Sequence, residues 1–383
     1  MSSTAHSSTQ RFPNEVLSLI CEDVSSTETL WALCRTSRTL FVIAQPILYR
    51  CVKLDGRRMG SVRNWCRTVS KHTHLAERVR SLELTLPALG ILDPQDAQKI
   101  FTVMRRCVNL EEIEVASHSP HSDEGAPCML PVTPFPRLIK LRTPHFYLDE
   151  SFIEFVQSQP TIRTLELHKS GGSIGAYQQW RSCDAANLLP QLIAVAGPIH
   201  ALPLNHHLER IETEPRVNDL GFLARYSASL TTLNLVLPQF DVSRVLKPLI
   251  RSAAAHLPAL VHLAIVETRP RDIKPHPFRV SWAYSPVGAF SGLETFTLMV
   301  RSVTFFGLPD APLTRHPRGM EKGMCDLALS TLDVCPTLKR VVFGYEDSEK
   351  KERTCTAIRC PDGVISTKVE DGMNFGAVSM FWV

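Results

Sequence analysis

The sequence predicts an α/β chain: a three-helix N-terminal unit followed by an irregular solenoid with a parallel sheet. Three observations predict it. Residues 12–54 hold three short apolar stripes at helical spacing. Behind them a six-residue phrase returns again and again: aliphatic, two variable residues, aliphatic, one variable residue, aliphatic. Amphipathic stretches separate the copies, as the crossovers between parallel strands require.

The helices come first. Phe12-Pro13-Asn14-Glu15 opens one, with Pro13 early enough to be tolerated and Glu15 near the positive end of the helix dipole. Val16, Leu17 and Ile20 form its stripe. Ser25 and Glu28 have capping-box spacing for a second helix, where Leu30, Leu33, Cys34 and Ser37 fall at i, i+3, i+4 and i+7. A third helix carries Leu40, Ile43 and Ala44 and is expected to stop at Pro46. Val52 and Leu54 then alternate with Lys53 and Asp55, as an edge strand would. So small a unit cannot bury Leu17, Leu19, Leu30, Trp31, Leu33, Phe41 and Val42 on one inward face. The surplus predicts a neighbouring surface, in this chain or another.

The stretch from Phe12-Pro13-Asn14-Glu15-Val16-Leu17 to Leu30-Trp31-Ala32-Leu33-Cys34-Arg35-Thr36-Ser37-Arg38 resembles an F-box. Its tail, Ala44-Gln45-Pro46-Ile47-Leu48-Tyr49-Arg50, is similar to that of many fungal F-box proteins. Phe12 stands for the usual Leu and Thr36 for the usual Val. The resemblance implies docking on the small adaptor subunit of an SCF-type (cullin-RING) ubiquitin ligase, and through it on a cullin. Pro13, Val16, Leu17, Ile20, Leu30, Leu33 and Ser37 occupy the matching positions. A plain helical cap for the repeats is the other reading of these helices.

A linking helix with Met59, Val62, Cys66 and Val69 on one face leads to the phrase. Clear copies begin at Val79, Leu110, Ile162, Leu230, Leu260, Leu293 and Leu338, and weaker ones at Leu138, Leu192 and Leu208. The first starts lie 31, 28 and 24 residues apart, but later intervals range from 16 to 45. Asp93-Pro94, the Phe152-Phe155-Val156 stretch and the Leu246-Leu249-Ile250-Ala253 stripe mark crossover helices. The phrase resembles the leucine-rich-repeat strand, without the Asn or Cys that normally follows it. The domain plan is a leader over 1–10, the F-box-like unit over 11–54, a linking segment over 55–78, repeats over 79–345 and a cap or tail over 346–383.

In a repeat solenoid the variable strand positions line a binding surface. The position between the last two anchors reads Glu83, Glu114, Arg142, Glu166, Ala196, Glu212, Asn234, Ala264, Thr297 and Val342. Glu83, Glu114, Glu166, Glu212 and Asn234 are the candidate substrate-binding residues: an acidic first half would attract a basic segment, and the far half would accept apolar side chains. Solvated strand faces are the plainer reading. Insertions at 116–136, 268–290 and 301–320 are rich in Ser, His, Pro and Arg, and Arg359 to Ile365 reads as a hairpin.

Other chemistry is missing from the pattern. Gly171-Gly172-Ser173-Ile174-Gly175 has neither dinucleotide nor P-loop spacing. His72-Thr73-His74 and His206-His207 lack partners in sequence, and the eleven cysteines contain no C-x-x-C pair. Forty-two basic and 38 acidic residues are spread evenly, which argues against nucleic acid. No apolar run reaches the roughly 20 residues of a membrane span, and the polar start lacks a signal-peptide core. The expectation is a non-enzymatic substrate-recognition subunit, without cofactor or metal, cytoplasmic and/or nuclear, that binds a protein substrate. The alternatives are a ligase-independent interaction module and an α/β enzyme with a helical N-terminal cap.

Overall fold

The computed structural model describes residues 12–56, 59–86, 93–117, 128, 130–143, 146, 148–167, 180, 188–215, 217–237, 242–267, 276–278, 286–300, 303–305, 317–346 and 351–372. The leader, the glycine cluster at 171–175, Met380 to Val383 and most of the three insertions lie outside them. The chain divides into two compact units, Met1–Ile162 and Arg163–Val383.

The first unit begins with α1 (Asn14–Glu22), α2 (Thr27–Thr36) and α3 (Arg38–Leu48). Pro13 precedes α1, and its carbonyl accepts from the Val16 and Leu17 amides. The second cap sits one residue later than the spacing suggested: Ser26, not Ser25, accepts from the Thr29 amide at 3.2 Å. Ser37 caps α3 by accepting from the Leu40 amide at 3.1 Å. Pro46 does not stop α3, which runs on to Leu48. So near the C-terminus only the last turn remains, and the Tyr49 amide still closes on the Gln45 carbonyl. Then follow β1 (Cys51–Asp55), α4 (Met59–Lys71), the short α5 (Thr73–Ala76), β2 (Ser81–Leu86), α6 (Pro94–Met104), β3 (Glu112–Ser117), β4 (Lys140–Arg142) and α7 (Glu150–Gln157). The first four strands are parallel and in chain order. β1 is the edge expected, with Val52 and Leu54 buried.

The second unit holds β5 (Thr164–Glu166), β6 (Ala194–Ala196), β7 (Arg210–Thr213), β8 (Thr232–Leu237), α8 (Val242–His256), β9 (His262–Glu267), β10 (His276–Phe278), β11 (Thr295–Val300), β12 (Val303–Phe305), α9 (Pro317–Val334), β13 (Arg340–Glu346), β14 (Glu352–Arg359) and β15 (Ile365–Asp371). From β5 to β9, then β11 and β13, its strands are parallel and again in chain order. β14 and β15 add an antiparallel hairpin, with its turn at 360–364 as the sequence suggested. β10 and β12 pair separately. 3-10 helices over Val217–Tyr226 and Pro286–Ala289 pack against α8.

The phrase sets the register. Its middle anchors stand opposite one another: Val52, Leu82, Ile113 and Leu141 in the first unit, and Leu165, Val195, Ile211, Leu233, Leu263, Phe296 and Val341 in the second. All are buried. The residue after most first anchors offers a carbonyl that accepts two successive amides of the next copy. Arg80, for example, accepts from Glu111 and Glu112 at 2.7 and 2.9 Å, and Thr231 accepts from Val261 and His262 at 2.9 and 2.8 Å. A turn leads into most strands: the first-anchor amide bonds the carbonyl three residues back, as Ile162 does to Gln159 and Leu338 to Cys335. Pro136, Pro160, Pro190, Pro258 and Pro336 occupy the second position of five such turns, where a fixed φ suits the bend. Three hydroxyls just before the first anchor reach the preceding copy: Thr161 donates to the Leu138 carbonyl, Ser229 to Leu208 and Thr337 to Leu293, at 2.8–2.9 Å. These bonds link successive copies although the Asn or Cys after the strand is missing.

Between α4 and α6, Arg63 grips the buried Asp96 with two nitrogens at 2.6–3.2 Å. That bond holds the Asp96 carboxyl below the usual carboxylate range, against the opposing effect of burial. A lowered folded-state value stabilises the fold above the unfolded value and is lost as pH falls through it, here below about pH 4. Urea midpoints measured against pH should therefore fall more steeply in that window for the wild type than for Asp96→Asn, which starts lower at neutral pH. Parallel curves for the two proteins would mean that the pair adds nothing.

Candidate functional site

The three-helix unit has a small core and a large apolar exterior. Cys21, Leu30 and Ala44 form the core, with Val24, Leu33, Cys34, Leu40, Ile43, Ile47 and Leu48 packed on it. α1 carries a second stripe, because Val16, Leu19 and Ile20 sit at i, i+3 and i+4 on a face away from Cys21. Leu19 is 65% exposed and Ile20 51%. On α2 the neighbour of buried Leu30, Trp31, points out at 54% exposure, with the Arg35 guanidinium 4.6 Å from its ring centre. On α3 Phe41 and Val42 are exposed, as is Phe12 ahead of α1. Seven of the fourteen exposed large apolar side chains among the described residues fall between positions 12 and 42.

The adaptor-docking candidates divide accordingly. Pro13, Val16 and Ile20 are exposed, and Leu17 is half-buried. Leu30 lies in the core, and Leu33 packs on it. Ser37 is exposed, but its hydroxyl oxygen accepts the α3 cap bond. Leu19, Trp31, Phe41 and Val42 come from the surplus that the small core could not hold, and Phe12 joins them.

The strand rows differ between the units. In the first, Lys53, Glu83, Glu114 and Arg142 stand in register across β1–β4. Lys53 pairs with Glu83 at 2.6 Å and Arg142 with Glu114 at 2.7 Å. The hydrogen bond that Lys53 donates to Glu83, with the carboxylate's charge, raises the Lys53 amine. Arg80 pairs with Glu111 at 2.7 Å, and Lys140 lies 3.8 Å from Glu112. This face is charged but balanced, so Glu83 and Glu114 meet a partner with their counter-ions already beside them.

In the second unit Glu166, Ala196, Glu212, Asn234, Ala264, Thr297 and Val342 share a row. Glu166 and Glu212 are half-buried. Asn234 is 1% exposed and donates its amide to Glu212 at 3.0 Å. It is not a surface residue, and the expected apolar acceptor surface beyond it is closed as well. Ala264, Thr297 and Val342 are all buried, and Val266, Met299 and Val342 form an apolar cluster on the same side. β8, β9, β11 and β13 are buried on both faces, which explains their nearly unbroken apolar runs.

No cluster of His, Cys, Asp and Glu among the described residues is arranged to hold a metal. His72 and His74 meet only ring to ring, with centroids 5.9 Å apart. A groove of about 640 Å³ between α4 and α6 has Val62, Cys66, Ile100 and Val103 in its wall, and its buried acid, Asp96, is engaged by Arg63. No helix among the described residues is long and apolar enough to cross a membrane.

The chain matches no protein-family model and no curated protein. Among solved structures it is similar to the leucine-rich repeat-containing protein LegL7 from Legionella pneumophila, at 14% identity over 72% of this chain and 85% of that one, with a TM-score of 0.39. The repeats are defined by their own register and hydrogen bonds.

The split between core and exterior is directly measurable. Leu30→Ala should destabilise the first unit by about 2–5 kcal/mol. Trp31→Ala, one residue away, should stay within about 0.5 kcal/mol of wild type. Paired urea titrations followed by circular dichroism check both; equal losses would mean that Trp31 is structural.

Proposed function

We propose that this protein is the substrate-recognition subunit of an SCF-type (cullin-RING) ubiquitin ligase. In this reading the three-helix unit is an F-box that docks on the adaptor subunit, and the leucine-rich-repeat-like region holds a protein substrate. The observation that carries it is the apolar exterior of α1–α3. Phe12, Leu19, Ile20, Trp31 and Val42 are each more than half exposed within the first forty-two residues. Burying a large apolar side chain contributes about 1.5–3 kcal/mol, and a patch of this size marks a protein partner. The F-box-like sequence from Phe12 to Arg38 names the kind of partner.

Two further features favour a binding role over catalysis. Among the described residues, the parallel strands of the main sheet follow chain order within each unit, without the reversal of order at which an α/β ligand crevice opens. The acids and bases on the first unit's sheet are engaged with one another. The mechanism is then proximity: one end fixed to the scaffold and the other to a substrate, so that an acceptor lysine reaches a ubiquitin carried by partner subunits. On the substrate side, Glu83 and Glu114, with Lys53 and Arg142, form the row most open to a partner; Glu166 and Glu212 are secondary candidates.

Co-purification with the adaptor subunit decides the first half. Trp31→Asp with Val42→Asp changes exposed positions only, so the fold should persist while adaptor capture falls at least tenfold. Absence of capture by the wild type sinks the ligase assignment and favours a ligase-independent interaction module; undiminished capture by the double variant moves the docking surface away from Trp31 and Val42. Reversing Glu83, Glu114 and Glu166 to Lys should reduce recovery of co-purifying substrates; unchanged recovery removes the row from the binding surface.

A further inference from the structure

Helix α9 lies over β13 and β14 at the C-terminal end of the second unit. Two cysteines meet there. Cys325 of α9 and Cys355 of β14 place their sulfurs 3.4 Å apart, within reach of a thiol hydrogen bond. Among the described residues no other two sulfurs share such a bond. Cys355 stands opposite Phe343 in the buried row and is fully enclosed, whereas Cys325 is partly exposed. A disulfide sets its sulfurs about 2.0 Å apart, so closure asks for roughly 1.4 Å of approach between neighbours that already touch.

We propose that Cys325 and Cys355 are the site of a reversible disulfide modification, formed by a peroxide and opened by thiols, that locks α9 onto β14. The two sulfurs have different parts in it. Burial, with the bond to Cys325 second, pushes the Cys355 thiol up to about 12, so it stays protonated near neutrality and does not meet the oxidant first. Cys325 is the accessible one. Its thiolate attacks a peroxide oxygen, the O–O bond breaks, and the departing hydroxide takes up a proton to leave as water. The product is a sulfenic acid on Cys325. The Cys355 sulfur then attacks the Cys325 sulfur, and the S–O bond breaks. The second hydroxide leaves as water with the proton of Cys355. Two thiols lose two electrons, and one hydrogen peroxide becomes two waters.

The consequence is a covalent tie between elements that are already hydrogen-bonded at another point. Arg359 of β14 donates to the Leu332 carbonyl in the last turn of α9 at 2.7 Å and to the Pro336 carbonyl just beyond the helix at 3.1 Å. A disulfide two turns earlier in the helix would fix it at both places and close a loop around β13. This site is independent of adaptor docking, and its test does not depend on any ligase activity.

The experiment treats the purified full-length chain with hydrogen peroxide, blocks free thiols with N-ethylmaleimide, and reads the intact mass and the peptide map. The expected result is the loss of two hydrogens, a linked peptide pair carrying Cys325 and Cys355, reversal by dithiothreitol, and a rise in Tm of about 5 °C. Cys325→Ser and Cys355→Ala should each abolish the link and the rise. Cys325→Ser alone decides if the buried replacement does not fold. The proposal is overturned if Cys325 goes to sulfinic acid while Cys355 remains alkylatable after unfolding, or if the links formed involve only other cysteines such as Cys51 or Cys360.

Discussion

At the start of most parallel strands a single peptide carbonyl receives two N–H groups from the next copy, and much of the molecule follows from that bond. It occurs at Arg50, Arg80 and Glu111 in the first unit and at Arg163, Ile193, Glu209, Thr231, Val261 and Glu294 in the second. With both lone pairs of the oxygen engaged, the strand behind it cannot slip by one residue without losing two bonds. A one-residue slip would also turn every side chain to the opposite face. The carbonyl therefore decides which residues are core and which form the outer rows. Buried backbone groups left unpaired cost about 1–3 kcal/mol each, which makes this register firm even where the strand is three residues long, as at β4, β5 and β6.

The phrase is legible in sequence because it is the part bonded in this way. Even the weak copies at Leu138, Leu192 and Leu208 became β4, β6 and β7. What the outer row does was less legible. Alternation in Leu82-Glu83-Leu84 and Ile113-Glu114-Val115 means one open face, and those acids are found on it. Leu233-Asn234-Leu235-Val236-Leu237 and Val341-Val342-Phe343 do not alternate, and both of their faces are buried. The apolar trend of the far row reports this second burial, not an acceptor for substrate. Lys53 was missed because its strand precedes the first clear copy, yet β1 obeys the same register: Tyr49-Arg50-Cys51-Val52-Lys53-Leu54 fits the phrase once an aromatic first anchor is allowed.

At the other end, arithmetic of volume was more informative than the motif. A motif marks positions, and it grouped Leu30 with Ile20 although one is enclosed and the other faces solvent. A core this small cannot hold all of Leu17, Leu19, Leu30, Trp31, Leu33, Phe41 and Val42, and Leu19, Trp31, Phe41 and Val42 of that set are exposed. Volume alone does not say which members stay inside. Leu30 and Trp31 lie roughly 100° apart around α2, and the packing of α2 on α3 decides which of them is enclosed.

The same carbonyl bonds explain why the repeats can be so uneven. Only the six residues of the phrase and the turn before it have to match from copy to copy. What lies between needs only to return the chain to the next carbonyl. Doubling a connecting loop adds about 0.6 kcal/mol of closure entropy, less than the two backbone bonds that the next strand recovers. Intervals of 16 and 45 residues are thus compatible with one ladder. Length can vary freely in the connections, while the spacing inside the phrase cannot. That division puts the chain's individuality into its insertions and its outer rows, and leaves the row of middle anchors Val, Leu, Ile or Phe throughout.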